Sequence, residues 1–267
     1  IHCAGITNEE IENNKEIAIY KSSTFIDYIF KKMNEFECKN FIYFSSIHVY
    51  GDFINEIKDE SFSNPKSEYA LLHYISEKNI LFNSKKYDTD NTIILRIPTV
   101  YSIPKSIRKI NRSKIIQFSF LISLIENSTI KINSSGKQFI LFTNDRVISE
   151  IIENIITNKN KLKSKIYSVS GENIRLIDFA KKCRKILKQQ FKINSKIFIK
   201  EPNIPSSNFK KIKIKSSFKI QNNYSVDEYI YDFTSKYLGN KTHVNKNSNH
   251  ILLTGATGFI GKYVLDE

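Results

Sequence analysis

Cysteine, glycine and proline are scarce in this chain: three, eight and five residues out of 267. Cys3, Cys38 and Cys183 are odd in number, far apart and lack a C-x-x-C pair. That suggests neither a disulfide framework nor a zinc site, and fits a reducing, cytoplasmic compartment. So little glycine and proline argues against a low-complexity chain. Long apolar runs are also missing. The longest, Ile115 to Ile125, is interrupted by Gln117, Ser119 and Ser123. It falls short of the ~18 residues that a membrane span requires, so no membrane association is expected.

Acidic residues are outnumbered, 27 against 41 Lys and Arg, for a net charge of +14. An excess of this kind can serve nucleic acid or an anionic membrane. Here the lysines are scattered, with a mild cluster at Lys210, Lys211, Lys213 and Lys215. No aromatic–basic motif accompanies them, so the charge reads as a solvated surface and nucleic acid is not the expected partner. What remains is a globular balance, 40% hydrophobic and 25% charged, enough for a sizeable core.

Helical spacing alternates along the chain with short apolar and β-branched runs. Lys15 to Phe36, Glu68 to Phe82, Val147 to Ile156 and Arg175 to Leu187 carry helical spacing. Phe41 to Phe44, Thr92 to Ile97 and Lys165 to Val169 read as strands. The alternation predicts an α/β fold, a parallel sheet wrapped by helices with right-handed crossovers. The segment 239–249 is polar and aperiodic and reads as a linker.

After the linker, Ile251-Leu252-Leu253-Thr254 runs into Gly255-Ala256-Thr257-Gly258-Phe259-Ile260-Gly261 and an apparent helix. Gly255 suits a tight turn, Gly258 lets the backbone approach a pyrophosphate, and Gly261 permits close helix–strand packing. The helix N-terminus would supply N–H donors to the phosphates. This run resembles the cofactor fingerprint of short-chain dehydrogenases/reductases. Other motifs follow that family's order upstream. They are Ile1-His2-Cys3-Ala4-Gly5, Ser45-Ser46-Ile47-His48-Val49-Tyr50-Gly51, Pro65-Lys66-Ser67-Glu68-Tyr69, Leu95-Arg96-Ile97-Pro98-Thr99-Val100-Tyr101, Asp145, and Tyr167 to Gly171. Together they are similar to the extended branch, the NAD-dependent epimerases and dehydratases that modify nucleotide sugars.

The resemblance implies a Rossmann-type, doubly wound parallel sheet with a smaller C-terminal substrate lobe at about 104–140 and 176–238. It implies NAD or NADP as cofactor, a nucleotide-sugar substrate and a homodimer. Tyr69 would be the general acid/base and Ser46 the donor holding the reacting oxygen. A free Tyr titrates near 10, so it needs a nearby cation. The family places a Lys four residues on, one helical turn away; here that position is His73, which could be cationic and bond the cofactor ribose. Ala4, Tyr69 and His73, with Gly255, Thr257, Gly258, Phe259, Ile260 and Gly261, would contact the cofactor. Ser46, His48 and Thr99 would face substrate. Other family positions also depart: Tyr20 and Thr99 stand where Asn is usual, and Gln138 and Phe139 where a phosphate-gripping Arg and its partner Asp are usual.

The order of parts is unusual, because the fingerprint that opens the family closes this chain. Residues 1–238 would form the enzyme domain without its first three strands. Residues 250–267 would be the first strand, Gly-rich turn and helix start of a Rossmann unit. Both ends are expected to fall inside elements, as in a fragment of a tandem protein or a truncated circular permutant. The strand that chooses between NAD and NADP is not among these segments. Ile251 to Thr254 is expected to pair beside the strand starting at Ile1. The alternative to an epimerase, dehydratase or reductase is a catalytically eroded member of the fold that serves as a binding or regulatory protein, with an RNA-binding relative behind it.

Overall fold

The computed structural model describes residues 1–53, 56–89, 91–107, 115–158, 165–200, 209–218 and 223–239. The fingerprint residues Gly255, Thr257, Gly258, Phe259, Ile260 and Gly261, and the expected pairing of Ile251 to Thr254, lie outside the described residues, as does most of the linker.

The principal sheet contains β1 (Asn40–Ser46), β2 (Asn91–Ile97) and β6 (Ile166–Ser168), all parallel, in the order β1-β2-β6. Strand periodicity explains its layering, since successive side chains point to opposite faces. Phe41 and Tyr43 of β1, with Ile94 of β2, meet α3 (Thr24–Glu35) and α4 (Glu68–Lys86) through Ile26, Phe30, Met33 and Ile80. Ile42, Phe44, Ile93 and Leu95 point the other way, onto Val147, Ile148, Ile151, Ile152 and Ile155 of α6 (Asp145–Thr157). Both faces are thus covered, the doubly wound arrangement that parallel strands require.

A second group of elements follows the carboxyl ends of these strands. β3 (Thr99–Tyr101) pairs parallel with β5 (Phe139–Asn144), which pairs antiparallel with β7 (Glu172–Arg175). β4 (Thr129–Ile132) pairs parallel with β8 (Lys196–Ile199). Against them pack α5 (Ile116–Asn127), α7 (Leu176–Phe191) and α8 (Val226–Tyr237), around Phe118, Leu121, Phe142, Phe179, Tyr229 and Phe233. Ser225 and Glu228 close a reciprocal capping box at the start of α8.

The structure departs from the sequence expectation in three places. Lys15 to Phe36 is two helices, α2 (Lys15–Ser22) and α3, broken at Ser23. The hydroxyls of Ser22 and Ser23 both donate to the Ile19 carbonyl, at 2.8 Å each, an alternative partner that interrupts the helix ladder. The segment at Ile1 is not a strand but one parallel bridge, with the His2 N–H donating to the Ile42 carbonyl at 2.7 Å. Thr99 to Tyr101 belongs to the second sheet rather than the first.

One buried ion pair ties the principal sheet to α4. The Arg96 guanidinium grips Glu77 through Nε at 2.9 Å and Nη2 at 2.6 Å, and the two side chains are 3% and 1% exposed. Glu77 also accepts the Ser45 hydroxyl at 2.6 Å, and Arg96 donates to Ser63 at 2.8 Å. Breaking a buried pair leaves an uncompensated charge. Arg96→Met and Glu77→Met are each expected to lower unfolding free energy in urea by about 3–5 kcal/mol. The double variant Arg96→Met/Glu77→Met should recover a clear part of that loss. Additive losses would show that the pair's charge is not what matters.

Candidate active site

The carboxyl ends of β1 and β2 open into a cleft of ≈ 580 Å³. β1 delivers Ser46, which caps a short 3-10 turn, Ile47–Tyr50, by accepting the His48 N–H at 3.3 Å. The turn ends at Gly51, with φ +74°, where an added Cβ would sit 2.0 Å from the Asn64 carbonyl oxygen. Only glycine fits that approach. The segment packed there leads through Ser67, whose hydroxyl caps α4 by accepting the Ala70 N–H at 3.2 Å, into Tyr69 and His73. β2 ends at Ile97, and the chain continues through Pro98 to Thr99.

Ser46, His48, Tyr69, His73 and Thr99 all line this one cleft. Ala4, half-buried, lies between Cys3 and Gly5, which also line it. Rings form a line along the wall. His48 and Tyr69 are edge-on at 6.2 Å between centroids, Tyr69 and His73 at 4.6 Å, and Tyr43 lies 6.1 Å beyond His73.

His73 is buried, 3% exposed, and its Nδ1 is 3.0 Å from the Tyr43 hydroxyl. Burial pushes the imidazole from 6.5 down to about 4; the Ile6 backbone opposes and His48 adds to the shift. The Ile6 influence falls short of a hydrogen bond, because Nε2 has no partner of bonding geometry among the described residues. Burial also raises the Tyr43 phenol, which therefore keeps its proton. When that proton is donated to Nδ1, the ring proton resides on Nε2. His48 is likewise lowered by burial. The cationic alternative for His73 does not match this environment: a desolvated imidazole stays neutral near pH 7.

Several lining residues were not singled out from sequence. Asn8, Glu9 and Glu12 come from α1 (Asn8–Asn13), whose start was legible in the Thr7-x-x-Glu10 spacing, with the Thr7 hydroxyl accepting the Glu10 N–H at 3.0 Å. Gln117 was read only as an interruption of an apolar run. Its amide nitrogen donates to the Val100 carbonyl at 2.7 Å, leaving Oε1 without a partner among the described residues. Among the described lining residues there is no Lys or Arg. Tyr20 is about half exposed on α2, and Gln138 bonds Ser134 instead of facing the cleft.

The His73 environment sets a pH dependence of stability. Its folded pKa lies below the ordinary value, so between about 4 and 6.5 the unfolded chain holds a proton that the folded one does not. Stability therefore rises with pH across that window and is lost on acidification, by on the order of 3 kcal/mol for this group. In urea titrations from pH 7 to 4, His73→Gln should show a shallower slope by about one proton. An unchanged slope would mean that His73 titrates normally in the folded protein.

Comparison with known proteins adds the lineage. No curated protein matches the sequence significantly. Among solved structures, UDP-glucuronic acid 4-epimerase from Bacillus cereus is 18% identical, with a TM-score of 0.63 over 82% of this chain and 68% of that one. UDP-N-acetylglucosamine 4-epimerase from Methanobrevibacter ruminantium M1 is 18% identical, with a TM-score of 0.66 over 88% and 76%. L-threonine dehydrogenase from Phytophthora infestans is 15% identical, with a TM-score of 0.68 over 89% and 77%. Likeness at these identities shows a shared fold. The family model for NAD dependent epimerases and dehydratases matches residues 1–169, more than half of the sequence, and the chain belongs to the NAD dependent epimerase/dehydratase family.

Proposed function

We propose that the protein is an NAD(P)-dependent epimerase, dehydratase or reductase acting on a nucleotide-activated sugar. The observation that carries this reading is the convergence of Ser46, Tyr69 and Thr99 on one cleft from three separate segments. The two 4-epimerases of the same fold were solved with UDP-glucuronic acid and with UDP-N-acetylmuramic acid. In this reading the fingerprint at Gly255, Thr257, Gly258, Phe259, Ile260 and Gly261 holds the pyrophosphate of NAD or NADP. Residues 239–249 act as a linker, and 104–140 with 176–238 as the substrate lobe. The three cysteines, all free, suit a reducing cytoplasm. A homodimer would use α4, where Leu71 and Phe82 are exposed.

The residues fit such a cofactor. A neutral His73, with its unpartnered Nε2 in the cleft wall, has a donor for a ribose hydroxyl. NAD or NADP held there would supply the hydride acceptor and donor. Tyr69 takes the proton of the sugar hydroxyl and gives it back. The Ser46 hydroxyl, whose oxygen already accepts the His48 N–H, donates its own proton to the reacting oxygen. His48 and Thr99 bound the substrate's position. Ala4 flanks the cofactor.

A second reading is a binding or regulatory member that has lost chemistry. Two observations favour it: His73 is held neutral where the chemistry asks for a cation, and the described cleft lining carries Glu9 and Glu12 but no Lys or Arg. Kinetics separate the two. With NAD(H) or NADP(H) and a panel of nucleotide sugars, the wild-type protein should give a spectral change at the nicotinamide. Tyr69→Phe should lose about 100-fold or more in turnover with cofactor affinity unchanged. Full activity in Tyr69→Phe rejects the catalytic role, and tight cofactor binding without turnover supports the second reading.

A further inference from the structure

A second concavity, of ≈ 900 Å³, lies on the smaller group of elements and shares no lining residue with the first. Its walls are Lys181, Arg184, Lys185, Lys188 and Gln189 of α7, Asn194, Ser195 and Lys196 leading into β8, and Ser128 and Thr129 before β4. Five of these are cations and none is an acid.

Helical geometry accounts for the concentration. Phe179, Ala180, Cys183 and Leu187 form the buried stripe of α7. Lys181, Arg184, Lys185 and Lys188 recur at i, i+3, i+4 and i+7 on another face. Residues at these spacings are neighbours, and like charges there repel. Among the described residues no carboxylate pairs with any of the four, whereas Lys182, one position round the helix, pairs with Asp227 at 2.6 Å. A protein that leaves four cations in mutual repulsion holds free energy that a bound anion would release.

Polar groups around the stripe complete a binding surface. The Lys196 N–H donates to the Ser128 carbonyl at 2.9 Å, closing the loop over the helix. The Ser195 hydroxyl oxygen is shielded from solvent and has no hydrogen-bond partner among the described residues. Asn194, Gln189 and Thr129 add neutral donors.

We propose that this concavity is a binding site for a small anion carrying several phosphate groups. From Lys181 to Lys188 the stripe runs about 10 Å along the helix, longer than a single phosphate can engage. Ammonium and guanidinium groups make charge-assisted bonds to phosphate oxygens, and hydroxyl and amide donors fill the remaining acceptors. The lining holds no aromatic side chain on which a base could stack, which separates it from single-stranded nucleic-acid grooves. It also holds no large apolar side chain to enter a bilayer. A compact polyphosphate fits what is left.

Isothermal titration with sodium tripolyphosphate, pyrophosphate and orthophosphate tests this on the full chain. Saturable binding of one tripolyphosphate is expected, tighter than orthophosphate by about tenfold or more and weakening as salt rises. Arg184→Glu/Lys188→Glu removes two of the cations and should cut that affinity by at least about tenfold, the effect of losing even one charge-assisted bond. Lys31→Glu/Lys39→Glu, with the same change in net charge away from the site, should not. Ser195→Ala changes no charge and keeps the test open should the double variant fail to fold; it should weaken binding measurably. Equal affinity for all three phosphates would overturn the proposal. So would equal loss in the control variant, or binding of a single-stranded RNA or anionic vesicles that tripolyphosphate does not displace.

Discussion

The bidentate pair between Arg96 and Glu77 is the constraint on which the site rests. Neither charge can reach water, so each must find the other, and only one placement of α4 against β2 satisfies both. Glu77 also takes the hydroxyl of Ser45, next to Ser46, and Arg96 lies 4.4 Å over the ring of Tyr50. The Tyr50 hydroxyl in turn bonds Ser168 at 2.5 Å, and the Ser168 N–H donates to Asp59 at 2.6 Å. One network thus fixes the ends of β1, β2 and β6 and the helix that carries Tyr69 and His73. A side chain at the cleft inherits its position from this buried polar lattice.

The same burial that makes the network rigid decides the chemistry available beside Tyr69. His73 sits one turn along α4 and against Tyr43, a phenol that burial keeps protonated. An imidazole in that position holds a proton to donate but no charge to lend. Tyr69 therefore has a neutral ring edge-on beside it rather than an electrostatic partner, and the energetic help toward its phenolate must come from a bound ligand or from elsewhere in the cleft. The two readings of function divide on this physical point.

Charge is distributed unevenly between the two groups of elements. The described lining of the first cleft includes two carboxylates and no Lys or Arg, while the concavity on α7 includes five cations and no acid. A net charge of +14 read as a uniform solvated surface hides this contrast. Helical spacing on α7 places Lys181, Arg184, Lys185 and Lys188 side by side on one face.

The sequence determined the fold class, because continuous apolar and β-branched runs alternating with helical spacing point to parallel strands covered on both faces. The family resemblance pointed to Ser46, Tyr69, His73 and Thr99, and these do gather at one cleft. Tertiary structure decided what local pattern could not. The break at Ser23 follows from two hydroxyls competing for one carbonyl, and the reduction of the Ile1 segment to a single bridge depends on pairing partners distant in the chain. Gly51 was visible in a motif, but its necessity lies in the Asn64 carbonyl that crowds it. Gln117 gave no signal at all, since an isolated polar residue in an apolar run reveals its role only when Val100 is seen beside it. Above all, the protonation of His73 belongs to the tertiary structure: a residue's type states what it can titrate, and only its burial states whether it does.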